Sequence, residues 1–210
     1  MARLLLARHG NTFGPGDTPV WVGAREDLPL VEKGEAQAAE LGIALRDARL
    51  RPARILSGPL KRTRRAAEIV ADLTDFGGEI EIDDRLREID YGSWGGKTNE
   101  EIIDLFGQEA LDYWNTAHRR PPNSDWSPDE ATLKTNALSA LADAPAQTGF
   151  TLLVTSNGVL RYVYGESEGL AADAKVKTGH VCVVERRNNT FHRLAWNDKP
   201  ETGRLEDLLG

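Results

Sequence analysis

Apolar residues along this chain fall into short continuous runs, separated by longer stretches in which they recur at helical spacing. Residues 4–7 are Leu-Leu-Leu-Ala and end in a glycine-containing turn, which predicts a buried strand. Residues 11–30 are rich in Gly, Pro and Asp and predict a long loop. Over 30–47, Ala36, Ala39, Leu41, Ile43 and Leu45 recur among charges, a helical pattern. Residues 54–57 predict a second strand, Pro59 a helix start, and that helix runs to about residue 73. A short third strand follows at 79–82. Residues 99–118 read as one helix, 120–128 as a Pro/Asn/Ser break and 129–142 as a further helix. Residues 151–156 are the clearest core strand, and a glycine turn and helix follow them. Residues 181–185 and 191–196 flank Arg187-Asn188-Asn189, a hairpin signal. The last residues are acidic and are expected to be peripheral.

Six strands alternating with helices predict a three-layer α/β/α sandwich whose mixed, mostly parallel six-stranded sheet is covered on both faces. In such sheets the reactive groups gather beyond the carboxyl ends of the strands. Three segments leave a strand there with polar residues: 8–12, 57–59 and 156–158. One strand of the hairpin must oppose the parallel set. If it is the first, His180 faces the same edge as His9.

Composition narrows the function. The chain has 210 residues, 40% hydrophobic and 28% charged, which suits a single domain over 1–210 with a real core. Its net charge of −7 disfavours generalised nucleic-acid binding, which needs a basic face. No apolar stretch reaches the length of a membrane span, and the N-terminal one is too short for a signal peptide. A cytoplasmic protein with no nucleic-acid or membrane partner is expected. Cys182 is the only cysteine and sits in an apolar run, so it reads as a buried thiol.

Arg8-His9-Gly10 carries the first candidate chemistry. A histidine leaving a strand beside a glycine can accept a phosphoryl group on one ring nitrogen while a backbone carbonyl holds the other. Arg8 can pair with phosphate oxygens in a two-pronged contact. Taken alone, the tripeptide reads more readily as a strand-end histidine beside a surface arginine, since three residues recur by chance.

Four ordered segments change that balance. They are Arg8-His9-Gly10-Asn11-Thr12; Asp27-Leu28-Pro29-Leu30 with Gly34 and Gln37-Ala38; Ser57-Gly58-Pro59-Leu60-Lys61-Arg62; and Leu86-Arg87-Glu88-Ile89-Asp90-Tyr91-Gly92-Ser93-Trp94. Together they resemble the histidine phosphatase superfamily, also called phosphoglycerate mutase-like, over most of the chain. Val31 stands where that pattern usually has threonine. The resemblance implies that His9 attacks phosphorus and becomes a phosphohistidine, and that Arg8 and Arg62 hold the phosphoryl oxygens. It implies that Glu88 protonates the leaving oxygen and that Asn11 adds a hydrogen bond to the phosphate. Phosphoryl transfer depends mainly on alignment and charge stabilisation, which such a set supplies. Tyr91 and Trp94 read as packing residues, and His118 and His192 as bystanders.

The pattern breaks at one place. The family carries a second catalytic histidine in a Ser-His-Gly turn after its core strand, and here the turn is Ser156-Asn157-Gly158. Asparagine still donates a hydrogen bond but brings no charge. The difference between a charged and a neutral hydrogen bond is on the order of 1–2 kcal/mol, or about 5–30-fold in rate. Three readings follow. Asn157 is a neutral phosphate ligand in a working phosphomonoesterase; or His180 supplies the missing charge; or the protein is a catalytically silent phospho-ligand-binding or interaction protein. For His180 the reading as a histidine capping an edge strand is the favoured one.

The resemblance does not separate a phosphatase from a phosphoglycerate mutase-type phosphotransferase. The deciding parts are a cap at about 93–130 and the loop 11–30. Arg119-Arg120 reads either as a contact for an acidic substrate or as a charged helix end. Hydrolysis of a small-molecule phosphomonoester is the expectation, without a cofactor. No metal is expected, since the four histidines and one cysteine show no close ligand spacing. The glycines give no Walker loop or dinucleotide fingerprint, and there is no Gly-x-Ser-x-Gly elbow. Oligomeric state is not readable.

Overall fold

The computed structural model describes residues 2–144, 148–170, 173–188 and 190–210. In chain order the elements are β1 (Ala2–Arg8), α1 (Glu32–Asp47), β2 (Arg54–Ser57), α2 (Lys61–Leu73), β3 (Ile80–Ile82), α3 (Asn99–Phe106), α4 (Gln108–Asn115), α5 (Glu130–Asp143), β4 (Phe150–Thr155), α6 (Asn157–Gly165), β5 (Glu168–Gly169), β6 (Val181–Arg187), β7 (Thr190–Asp198) and α7 (Thr202–Leu209). The strands form one sheet in the order β3-β2-β4-β1-β6-β7-β5. β1 pairs parallel with β4, β4 with β2 and β2 with β3, whereas β6 runs antiparallel to both β1 and β7. The sheet is therefore mixed and mostly parallel, and the first hairpin strand is the one that opposes the rest.

The two faces follow from the period of two along each strand. Leu4 and Leu6 of β1, Leu153 of β4 and Cys182 and Val184 of β6 point to one core, shared with α5 and α6. Leu5 and Ala7, Leu152 and Val154, and Val181 and Val183 point to the other, shared with α1, α2 and α7. Every residue of β4 is buried, as expected for a central strand covered on both sides.

Four expectations are corrected. Among the described residues the sheet has seven strands rather than six. The seventh, β5, has two exposed residues that pair with His192 and Arg193 of β7, so no apolar run announces it. The single helix expected over 99–118 is two, because Gly107 adopts φ 82° and ends α3. A Thr98–Glu101 capping box starts α3, and α4 stops at Asn115. The C-terminal segment is not merely peripheral: Leu205 and Leu209 of α7 lie one turn apart and are buried. The hairpin strands extend to Arg187 and from Thr190, while Asn189 of the hairpin signal lies outside the described residues.

Two glycines let the loop after β1 lie directly on the start of α1. A Cβ on Gly34 would fall 2.1 Å from the Asn11 carbonyl oxygen, and one on Gly10 would fall 2.2 Å from that of Gly34. Both obstacles are backbone, which cannot swing aside. Gly34→Ala is expected to lower the unfolding free energy by about 1–3 kcal/mol or more. Gly203→Ala, in the exposed part of α7 with nothing near the added methyl, is expected to raise it by up to about 1 kcal/mol. Urea denaturation of both variants checks this opposite pair of signs.

Candidate active site

The carboxyl ends of β1, β2 and β4 open onto a cleft of about 960 Å³. His9 is the first residue beyond β1 and is 7% exposed. Its backbone N–H donates to the Thr155 carbonyl at the end of β4, and its Nδ1 faces the Gly10 carbonyl at 2.8 Å. A carbonyl can only accept, so Nδ1 carries the proton and Nε2 keeps its lone pair. The Arg62 Nε–H donates to that Nε2 at 3.2 Å, which agrees with this tautomer. Burial, followed by the charges of Arg62 and Arg8, holds the imidazole well below the usual histidine range. His9 is neutral at physiological pH, with the Nε2 lone pair turned toward the Arg62 Nε–H.

Arg62, in the first turn of α2, is fully buried. Its other nitrogens donate to the carbonyls of Glu26 at 3.1 Å and Gly23 at 3.0 Å. The 11–30 loop is thus folded over the guanidinium. Asp27 fixes it there by accepting from the Lys61 backbone N–H at 2.8 Å, at the N-terminus of α2 where an anion is favoured. Arg8 donates to the Val176 carbonyl at 2.6 Å, and its buried Nε has no hydrogen-bond partner among the described residues.

Glu88 is 5% exposed. Its Oε1 accepts from the backbone N–H of Ile89 at 2.9 Å and of Gly158 at 3.1 Å. Burial raises its pKa, partly opposed by those two N–H groups and by Arg62 and Arg8. The Thr155 hydroxyl donates to the Leu86 carbonyl at 2.8 Å and ties the segment to β4. Gly158 is required for this contact, since a Cβ there would sit 2.1 Å from Glu88 Oε1.

Asn157 and Asn11 are held alike. Asn157 Oδ1 accepts from the Val176 N–H at 3.0 Å, and Asn11 Oδ1 accepts from the Thr178 hydroxyl. Each amide is thereby oriented with its NH₂ as the remaining donor end. Gln37 braces the region, accepting from the Asn11 N–H at 2.8 Å and donating to the Thr178 carbonyl at 3.1 Å. Arg8, His9, Asn11, Arg62, Glu88 and Asn157 all line the one cleft.

His180 does not line it. β6 does bring it to the same sheet edge, and its backbone carbonyl accepts from the Arg8 N–H, but its Nδ1 faces the Asn197 carbonyl at 2.8 Å. Arg119 and Arg120 are also absent from the cleft; Arg120 donates to Ser124 Oγ at 2.9 Å and to the Pro128 carbonyl at 3.0 Å, holding the 120–128 break. Trp21, Tyr91, Trp94, Trp114 and Trp126 pack mainly edge to face, with centroids as close as 4.8 Å between Tyr91 and Trp126. Trp21, Tyr91 and Trp114 also form part of the cleft wall. Among the described residues, no three histidine, cysteine or carboxylate side chains come together as metal ligands, and no helix is long and apolar enough to cross a membrane.

Sequence reasoning missed Arg161. It lies one turn after Asn157 on α6, is 5% exposed and lines the cleft. It also draws in His118, expected to be a bystander, whose Nδ1 accepts from Arg161 at 2.7 Å. The spacing of four from Asn157 on a helix was the available signal.

Residues 4–199 match the family model described as the histidine phosphatase superfamily (branch 1), and the chain belongs to that family. It is 30% identical to a probable phosphoglycerate mutase GpmB of Erwinia tasmaniensis, over 95% of this chain and 87% of that one. It is 32% identical to a 2,3-bisphosphoglycerate-dependent phosphoglycerate mutase of Bifidobacterium longum over 57% of this chain, a match spanning only 48% of that relative. Its fold superposes on a mycobacterial glucosyl-3-phosphoglycerate phosphatase with TM-score 0.76 at 20% identity, covering 95% of this chain and all of the other. Bacillus stearothermophilus YhfR gives TM-score 0.69 at 29% identity, with 93% and 96% covered.

The raised pKa of Glu88 has a consequence for stability. A carboxyl that holds its proton more tightly when folded contributes stability that is present below its ordinary value of 4.5 and lost as pH rises through the folded value. Glu88→Gln keeps an acceptor oxygen and does not ionise. Its melting temperature relative to the unaltered protein is expected to climb as pH is raised from below 4.5 toward neutrality. Melting curves across that range check the sign.

Proposed function

We propose that this chain is a phosphomonoester hydrolase that works through a phosphohistidine on His9 Nε2, acting on a small-molecule substrate without a cofactor. The observation that carries the reading is the fixed tautomer of His9: Nδ1–H donates to the Gly10 carbonyl, and Nε2 is left unprotonated among the charges of Arg8 and Arg62. In the free protein Arg62 donates to that nitrogen. An entering phosphoryl oxygen takes over this donation, so the guanidinium moves its attention from nucleophile to electrophile. Nε2 then attacks phosphorus as the bond to the leaving oxygen breaks. Glu88, whose burial favours its protonated form, gives the proton to that oxygen. Water then attacks the phosphohistidine and Glu88 takes back a proton. Inorganic phosphate leaves and neutral His9 is restored.

Asn157 and Asn11 serve in this scheme as neutral donors to the phosphoryl oxygens, through the amide nitrogens that Val176 and Thr178 leave available. Residues 93–130 act as a cap on a single domain, with Trp114 and Asn115 contributing to the cleft wall. A mutase-type phosphotransferase is the second reading, favoured by the names of the relatives. It differs in returning the phosphoryl group to an organic hydroxyl rather than to water.

Phosphate release from a panel of small phosphomonoesters tests the proposal. His9→Ala is expected to abolish turnover. Asn157→His is expected to raise it by about 5–30-fold, because a neutral donor becomes a charged one. Turnover unaffected by His9→Ala would overturn the mechanism, and phosphoryl transfer only to an added alcohol, with no free phosphate, would favour the mutase.

A further inference from the structure

Arg161 ties the 93–130 segment to the body of the domain. It stands on α6, where it is buried, and its Nη1 donates both to the Trp114 carbonyl and to His118 Nδ1, the latter at 2.7 Å. Its guanidinium also lies 4.6 Å from the centre of the Trp114 ring. Trp114 belongs to the last turn of α4, where the final carbonyls lack helical partners and a cation is favoured. His118 lies in the turn beyond, at φ 54°. Trp114 and its neighbour Asn115 form part of the cleft wall, and α6 begins with Asn157. The attachment therefore joins that wall to the helix that carries a proposed phosphate ligand.

The attachment needs a neutral His118. A guanidinium only donates, so Nδ1 accepts and the ring proton sits on Nε2. That nitrogen faces Asp173 Oδ1 at 3.4 Å. Through Asp173 the chain of contacts reaches the segment whose Val176 carbonyl and N–H hold Arg8 and Asn157. A proton added to Nδ1 would turn the acceptor into a donor and set a second cation against a buried one. Among the described residues, the charged groups that act on His118 are Arg161 of α6 and Asp173 of the segment ahead of β6. Burial and Arg161 hold the His118 pKa below its ordinary value of 6.5, and Asp173 opposes them. The ring resists protonation while attached and regains its ordinary basicity once detached. Attachment is therefore fully present above 6.5 and weakens as pH falls, by up to about tenfold per pH unit.

We propose that Arg161 and His118 form a proton-sensitive latch that holds the α4 wall of the cleft in place at neutral pH and releases it in mild acid. Arg161 is a positioning residue: it acts through Trp114 and Asn115, which line the cleft, rather than on the phosphoryl group. The consequence for turnover rests on the hydrolase reading above, whereas the latch itself stands on the contacts of Arg161 and His118.

Hydrogen exchange of the backbone N–H groups over 108–118 tests the latch without turnover. Comparing proteins at the same pH cancels the direct effect of acid on exchange. In the unaltered protein the protection of this segment is expected to fall about 10- to 30-fold between about pH 7.5 and about pH 5. His118→Asn sets a neutral amide oxygen near the place of Nδ1 and tolerates the left-handed backbone. Its protection is expected to stay within about threefold over the same range. Arg161→Met is expected to lack the protection at every pH. Protection that does not change with pH in the unaltered protein, or that falls equally in His118→Asn, would overturn the latch, as would full protection in Arg161→Met. Circular dichroism melting shows whether each variant is folded, and His118→Asn decides the matter if Arg161→Met is not. Steady-state hydrolysis of p-nitrophenyl phosphate reads the consequence for the cleft. Over the same range the KM of the unaltered protein relative to that of His118→Asn is expected to rise about tenfold, with the kcat ratio steady to within about threefold. A change confined to kcat would overturn the positioning role. If the ester is not hydrolysed the hydrolase reading fails, and exchange still decides the latch.

Discussion

Burying a guanidinium with no carboxylate beside it is unfavourable, and much of this protein is arranged around doing so at Arg62. The group is fully removed from solvent, and its nitrogens are met by two loop carbonyls and one imidazole nitrogen. Neutral acceptors satisfy its hydrogen bonds, and the carboxylates of Glu88, Asp27 and Glu26 act on its charge without pairing with it. The 11–30 loop exists in its observed path because its carbonyls are needed there, and Asp27 pins that path to the start of α2. After burial, the same charge is the largest influence holding the His9 pKa down. The neutral state of His9 and the wall of the cleft thus both bear on one cation held without a paired anion.

Glu88 shows the complementary choice. It is a buried carboxylate on which the charges of Arg62 and Arg8 act, yet its oxygens are occupied by the backbone N–H groups of Ile89 and Gly158. It is held by neutral donors, and burial pushes its pKa up rather than down. An acid paired tightly with Arg62 would have lost the capacity to give a proton near neutrality. In the proposed mechanism, keeping the charges unpaired in the free protein leaves the cations ready for an anion and the acid ready to donate. Asn157 fits the same economy of contacts, since its oxygen is spent on the Val176 N–H and its nitrogen stays available.

Much of this was legible from four short segments. Their spacing gave the family, and the alternation of Leu4, Leu5, Leu6 and Ala7 between two cores is the period-two pattern of a central strand. The motif residues acquire physical reasons in the structure: Gly34 for backbone approach, Gln37 as a brace to Asn11 and Thr178, Asp27 as an anchor for α2. Features set by tertiary contact were not legible. β5 is two exposed residues that become a strand only by pairing with β7. Gly107 divides a helix that propensity would continue. His180 reaches the predicted edge, but the strand that carries it turns its ring onto the Asn197 carbonyl. Arg161 belongs to no motif, and in sequence it reads as an ordinary charge on a helix.

The central claim is that His9 Nε2 carries the phosphoryl group between substrate and water. Rapid quenching of the protein with a turned-over phosphomonoester, followed by mapping of the phosphorylated peptide and ³¹P spectroscopy, tests it directly. The account predicts an acid-labile, alkali-stable phosphoryl group on His9, attached at Nε2, that forms and decays at rates able to support turnover. Steady release of phosphate with no phosphorylated His9 at any quench time, or a phosphoryl group on another residue, would contradict it.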